Sequence, residues 1–329
     1  MTPTIPTVRS RLTAALVAFV LGFGIANLAI FTLPGPDRVL GVVVAGVLIL
    51  TSAWAVLVAD SPRRISVWAV LGAEVLGVLV LVPVLWLVSL ATSTGGTPTT
   101  LWPEAWTTDA FAGLSGDEEL RGAAGRSAAA AVLATAVAAL PALGLATLLA
   151  RTRWRPRRLV RTATIAAALL PGVALAVGGG DLVLRLGGPF ADSVVLRLAL
   201  VQTAIALPLA TWVLTSVLAG APWSLAEAAR ADGARTRTVL LRVLLPAVGP
   251  ALLAGLVLTA LVTSQDLALA TSVTGPQAPT LPMLLLDRAA DPAAGSQVAA
   301  AGLVAAVPAV VLLLVAPRTV TRLLGGSYR

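Results

Sequence analysis

Eight stretches of this chain are so apolar that water is not a workable solvent for them, and each is about as long as a bilayer is thick. They lie at about 12–33, 39–59, 66–91, 127–150, 160–178, 194–219, 247–272 and 298–316. A hydrocarbon core of about 30 Å takes about 20 residues of helix. In lipid every backbone N–H and C=O must be satisfied within the protein, which favours helices for segments of this kind. The expected fold class is therefore all-α, a polytopic membrane protein with about eight transmembrane helices. The first run is longer than the apolar core of a cleaved signal peptide and is followed by Pro34-Gly35-Pro36 and a second run, so it reads as retained. The fifth carries Pro171-Gly172 and ends at Gly178-Gly179-Gly180-Asp181, which reads as a turn at the outer surface.

Charge supports the count and orients it. Only 12% of residues are charged and 58% are hydrophobic, against about 25% charged in soluble domains. Cys and His are absent, which removes disulfides, thiolate and imidazole metal ligands and the usual neutral-pH base; no metal site is expected. All 23 basic residues are Arg. The net charge of +8 would suit a polyanion, but these arginines sit in short connections without an interleaved aromatic platform, so nucleic acid is not an expected partner. With eight spans, 17 arginines fall on the side of both termini and six on the other. The excess marks the cytoplasmic face, giving a multi-pass plasma-membrane protein with both termini cytoplasmic. The loop 92–126, with Trp102, Trp106, Phe111 and the acidic run Asp117-Glu118-Glu119, then lies outside. The acidic run reads as a solvated loop, and Glu74 in the third span as a structural hydrogen-bonding group.

Between the sixth and seventh runs lies the polar segment 221–246. Ser224 and Glu227 have the spacing of a capping box, small residues follow at Ala228 and Ala229, and Gly233 interrupts the helix. A second helical stretch begins near Thr236 and reaches Leu245-Pro246. Physical chemistry alone allows two readings: an interfacial amphipathic helix with arginines at lipid headgroups, or a docking element for another protein.

Glu227-Ala228-Ala229, Asp232-Gly233-Ala234 and Leu245-Pro246 with Pro250 resemble the EAA loop of ABC importer permeases, in particular the smaller membrane subunit of maltose-type carbohydrate importers. The resemblance extends over about 95–329 and includes Leu101-Trp102-Pro103, Ala150-Arg151, Leu170-Pro171, Thr280-Leu281 and Leu324-Gly325-Gly326. Where those permeases carry Asn-Ser before the fourth span this chain has Arg126-Ser127, and where they carry Trp-Asn it has Ser264-Gln265-Asp266. The resemblance implies a type I importer permease core preceded by two extra N-terminal helices (1–60), then a first core helix and external loop (61–126), then the permease domain (127–329). It implies that Glu227, Ala228, Ala229, Asp232, Gly233, Leu245 and Pro246 form the loop that couples to a cytoplasmic ABC ATPase dimer. A second permease subunit and an extracytoplasmic solute-binding protein complete the expected assembly.

The chain has no Lys and hence no phosphate-cradling Gly-x-x-x-x-Gly-Lys-Ser/Thr loop. ATP hydrolysis is expected in a partner, with no cofactor on this chain and no enzymatic role for it. Polar groups inside spans are costly and mark pathways or interhelical bonds. Thr203, Thr211, Thr215, Ser216 and Thr259 suit the second role. Gln202, Thr263, Ser264, Gln265 and Asp266 are the candidates for the translocation path.

Overall fold

The computed structural model describes residues 83–94, 105–151, 157–170, 172–275 and 277–315. The first two expected spans, most of the third with Glu74, and Trp102, Pro171 and the closing Leu324-Gly325-Gly326 lie outside these residues. The described chain is helical, and four of its helices are long and apolar enough to cross a membrane: Glu118–Ala150, Val194–Ala219, Thr236–Ser264 and Pro292–Val315.

In chain order the helices are α1 (Pro83–Thr92), α2 (Asp109–Gly116), α3 (Glu118–Arg151), α4 (Arg157–Leu169), α5 (Gly172–Leu186), α6 (Pro189–Asp192), α7 (Val194–Ala219), α8 (Trp223–Ala231), α9 (Thr236–Val239), α10 (Leu245–Ser264), α11 (Ala268–Val273), α12 (Leu281–Arg288) and α13 (Gly295–Val315). A π-helical turn, Leu240–Leu244, joins α9 to α10. The chain forms two compact units. One takes in the described residues up to Leu114 together with 291–303. Its small core sets Ala91 of α1 and Ala110 of α2 against Ala299 and Ala300 of α13, with Phe111 packed alongside. Thr107 donates to the Thr92 carbonyl at 2.8 Å, closing the loop that joins α1 to α2.

The larger unit is organised by α3 and α7. Ala130, Ala134, Ala138, Ala142 and Ala146 recur every four residues on α3, and all are fully buried. Residues four apart share a helix face, and small side chains let helices approach closely where lipid supplies no hydrophobic drive. Against this stripe lie Leu198, Val201, Ala206, Ala210, Leu214 and Val217 of α7. The hydroxyls within α7 are satisfied by their own helix: Thr203, Thr211 and Thr215 donate to the carbonyls of Ala199, Leu207 and Thr211 at 2.6–2.8 Å. Each of these bonds is intrahelical, made to the carbonyl four residues back.

Two spans differ from the sequence reading. The fifth run is two helices, α4 ending at Leu169 and α5 beginning at Gly172; at 13 and 15 residues, neither has the roughly 20 residues that cross a bilayer alone. The end of α4 before Leu170 fits a sequence with proline next, since the residue before a proline is disfavoured in the helical region. Gly178-Gly179-Gly180-Asp181 is not a turn but lies inside α5. Two of its glycines face neighbours: a Cβ at Gly179 would sit 3.1 Å from Val201 of α7, and one at Gly180 would sit 3.7 Å from Val273 of α11. The seventh run is likewise interrupted. α10 stops at Ser264, and α11 begins at Ala268 once the Asp266 carboxylate has accepted the Leu269 N–H at 2.7 Å.

The acidic run at 117–119 is also more than a solvated loop. Asp117 accepts the Leu120 N–H at 2.9 Å and so caps α3. The Arg288 guanidinium at the end of α12 bridges Asp117 and, at 2.8 Å, Glu119. The other end of α12 is held by Arg126, which donates to the Pro279 carbonyl at 2.9 Å, and by Ser127, whose hydroxyl accepts the Leu281 N–H at 2.8 Å. The Arg126-Ser127 pair and the Thr280-Leu281 pair, about 150 residues apart in sequence, are therefore one structural joint.

Candidate functional site

The segment between α7 and α10 is built by local rules that can be followed residue by residue. At Pro222 the backbone takes φ −78° and ψ 66°, and Trp223 N–H returns to the Ala221 carbonyl at 2.8 Å, which is an inverse γ-turn. Helix α8 starts at once at Trp223. Ser224 is therefore inside the helix, and the expected Ser224–Glu227 capping box does not form; the Pro222 carbonyl takes the Leu225 and Ala226 N–H groups instead. Sequence reasoning also missed the anchor. The Trp223 indole N–H donates to the Leu218 carbonyl at 2.8 Å, a C-terminal carbonyl of α7 that also accepts the Ala221 N–H at 3.2 Å. That bond ties α8 to the end of α7.

The other end of α8 explains the Asp-Gly-Ala motif. Gly233 has φ +81°. Its N–H bonds the Arg230 carbonyl at 3.0 Å, and the Ala234 N–H bonds the Ala229 carbonyl at 2.9 Å. This is a complete Schellman stop, with glycine at the left-handed position. Ala234 and Ala229, the pair that accompanies such a stop, both pack on the small core of Ala226, Val239 and Leu244. One face of α8, formed by Trp223, Ala226 and Ala229, is thus committed inward. Leu225, Glu227, Ala228 and Ala231 are exposed on the other side, with Asp232 just beyond.

The Leu245-Pro246 motif has a similar account. Val239 and Leu244 are both buried on that core. At 3.6 residues per turn they would point about 140° apart. In the π-turn the Leu245 N–H bonds back to Leu240, and this five-residue loop brings positions five apart onto one face. Pro246 has no N–H, and in a regular helix its ring would crowd the Arg242 carbonyl, so a widened turn directly before it is the conformation that fits. The helix then continues unbroken from Thr236 to Ser264.

The candidate path residues divide. Gln202 is 1% exposed, and its amide donates to the Thr263 carbonyl at 3.2 Å, joining α7 to the C-terminus of α10. Thr263 is also buried, its hydroxyl held by the Thr259 carbonyl at 2.8 Å. Ser264 bonds the Leu261 carbonyl at 2.8 Å, and Asp266 caps α11. Gln265 is exposed at the end of α10.

Residues 142–324 match the family described as binding-protein-dependent transport system inner membrane component. The chain belongs to that family. This permease is 28% identical over 265 residues to the trehalose transport system permease protein SugB of Mycobacterium tuberculosis, across 78% of its own length and 95% of the relative. Its fold is similar to a chain of a bacterial ABC transporter involved in the import of the acidic polysaccharide alginate. There the TM-score is 0.54 at 17% identity, over 78% of this chain and 99% of the other. An ABC importer permease in a multi-pass plasma-membrane arrangement accounts for the apolar helices.

Proposed function

We propose that this permease carries a carbohydrate and that α8 is the element through which a separate ABC ATPase drives it. The observation that carries the reading is the construction of α8: nine residues locked at both ends, small and polar on the exposed side and packed on the inner side. Such a helix transmits a push without bending. Glu227 and Asp232 supply negative charge to a basic cleft, Ala228 allows close approach, and Gly233 ends the helix so that the chain can turn toward α9. Movement of α8 reaches α7 through the Trp223–Leu218 bond and α10 through Val239 and Leu244, so two spans respond together in a rigid-body transition. The arginine distribution supports a cytoplasmic position for α8, where an ATPase dimer meets it. A second permease and an extracytoplasmic binding protein complete the assembly on this reading.

Carbohydrate as cargo is supported by the trehalose-system relative. On the path, Gln265 at the end of α10 is the group best disposed to meet a hydroxyl-rich solute, with Ser264 and Asp266 beside it; Gln202 and Thr263 hold the α7–α10 joint. The test is uptake of radiolabelled trehalose and other disaccharides by cells with and without the gene, paired with co-purification of the ATPase on tagged wild-type chain and on Glu227→Ala. Loss of sugar uptake on deletion, and of ATPase association in the variant, is expected. Unchanged uptake of every sugar together with loss of another solute would leave the coupling reading standing and end the carbohydrate one. An ATPase that associates equally with both proteins, and transport that continues in Glu227→Ala, would end the coupling reading.

A further inference from the structure

The polar segment has two halves of opposite chemistry, and only the first is absorbed by the coupling reading. From Trp223 to Gly233 it holds two acids and one arginine. From Ala234 to Leu245 it holds Arg235, Arg237 and Arg242 and no acid. All three arginines are exposed, as are Leu240 (52%), Leu241 (46%) and Leu245 (46%). Exposed leucines interleaved with arginines along 235–245 form a surface that neither water nor hydrocarbon alone solvates well.

Depth decides what does. The helix from Thr236 continues without a break into the span, and the uncharged run Val243–Ser264 rises about 33 Å at 1.5 Å per residue. That run fills a hydrocarbon core of about 30 Å. Arg242 then stands at its boundary, and Arg237 stands about 7 Å farther out on the same helix, at headgroup level. The π-turn stacks Leu240 near Leu245 while Val239 and Leu244 face inward, so the leucines reach the acyl margin from the level at which the arginines meet phosphate.

We infer that Thr236–Leu245 is a binding surface for anionic phospholipid headgroups, with Arg237 and Arg242 on the phosphates and Leu240, Leu241 and Leu245 in the acyl margin. Lipid so bound fixes the base of α10 in the plane of the membrane, next to the helix on which a partner would push. The inference rests on depth and charge and does not depend on the identity of the cargo or the ATPase.

The absence of cysteine makes the test direct. Leu241→Cys on the full chain provides a unique site for an environment-sensitive fluorophore. The purified protein in dodecylmaltoside is titrated with phosphatidylglycerol, phosphatidylcholine and inorganic phosphate. A saturable blue shift is expected with phosphatidylglycerol only. Each arginine near an anionic surface contributes about fivefold in affinity, so R237Q/R242Q should weaken the response roughly 25-fold, while R237K/R242K stays within about twofold and shows that the fold is intact. Phosphatidylcholine matching phosphatidylglycerol in the wild type, or an unaltered affinity in R237Q/R242Q, would overturn the inference. So would a shift on adding the ATPase without anionic lipid that depends on the same arginines, since the surface would then belong to a protein. A response to inorganic phosphate as strong as that to the lipid would reduce the site to a phosphate site and also overturn it.

Discussion

Replacing Gly233 tests whether the end of α8 is a built stop or an incidental bend. At φ +81° a residue with a Cβ is strained by roughly 1–2 kcal/mol, although there is open space around the position. The stop gains two backbone hydrogen bonds, at 3.0 and 2.9 Å, each contributing about 0.5–1.5 kcal/mol net, along with the packing of Ala234. The two sides are comparable, so Gly233→Ala keeps the cap but makes it open more readily, by about 1–2 kcal/mol. Amide exchange at Gly233 and Ala234 should accelerate about 5–30-fold, because local opening energies set exchange. Asn tolerates this conformation better than Ala, and a β-branched residue tolerates it worst, so the order of exchange should be Gly, Asn, Ala, Val from slowest to fastest. Hydrogen exchange read by mass spectrometry over 228–240 in lipid nanodiscs measures it. The same strain is carried by the folded state as a whole, so the melting temperature should also fall, by a few degrees. Exchange in Gly233→Ala at the wild-type rate, or Asn faring worse than Ala, would refute the reasoning.

Other consequences follow from the same geometry. Trp223→Phe keeps most of the ring packing but leaves the Leu218 carbonyl without its indole donor; a loss of about 1 kcal/mol is expected, seen as faster exchange at the α7–α8 junction, while Trp223→Ala should cost more. At the α7–α10 crossing a Cβ on Gly255 would lie 2.7 Å from Val213 Cγ1, so Gly255→Ala should destabilise the chain by about 1–3 kcal/mol, and adding Val213→Ala should recover much of it. The α12 clasp is set by charge. Hydrogen bonds from Arg288 first, and then from the Leu120 N–H, hold the Asp117 carboxyl below its usual range. A carboxyl depressed in the folded state contributes stability above the ordinary aspartate pKa and loses it as pH falls through the folded value. Arg288→Gln should therefore cost about 1 kcal/mol near neutrality and very little in strong acid, read by thermal melting across pH.

The spans were legible because lipid imposes one rule on every residue within them, and apolar length states it directly. What broke the reading was local. The fifth run divides where Pro171 stands in the sequence, yet proline also sits inside the intact helices α3, α7, α10 and α13, so proline alone does not tell a kink from a stop. The run Gly178-Gly179-Gly180 carries a turn signal in any single sequence; only the positions of Val201 and Val273 reveal Gly179 and Gly180 as packing residues. The motif at 221–246 was legible as a pattern, but the local causes of its structure were not. Ser224 and Glu227 had the right spacing for a capping box, but Pro222 starts the helix before Ser224 can cap it. The joint of Arg126-Ser127 with Thr280-Leu281 joins residues too far apart in sequence to be paired by any local rule. Asp117 could have been found, because an acid three residues before Leu120, followed by two more acids, is an N-terminal helix signal.

The mechanical sense of the polar segment comes from what its two ends have in common. A helix that only docked a partner would need an exposed face and nothing more. Here the first residue of α8 bonds the helix before it, and the residue after its stop packs with the helix that follows. The face between them, with Leu225, Glu227 and Ala228, is exposed. Removing either attachment should leave the docking surface chemically unchanged while uncoupling it from one span. Trp223→Ala would act on α7, and shortening Leu244 to Ala would act on α10. If α8 is a transmitting element, either variant should retain ATPase association and lose transport-stimulated hydrolysis. If it is only a docking site, the two properties should fall together. Separation of association from stimulation is thus the measurement that distinguishes a handle from a hook.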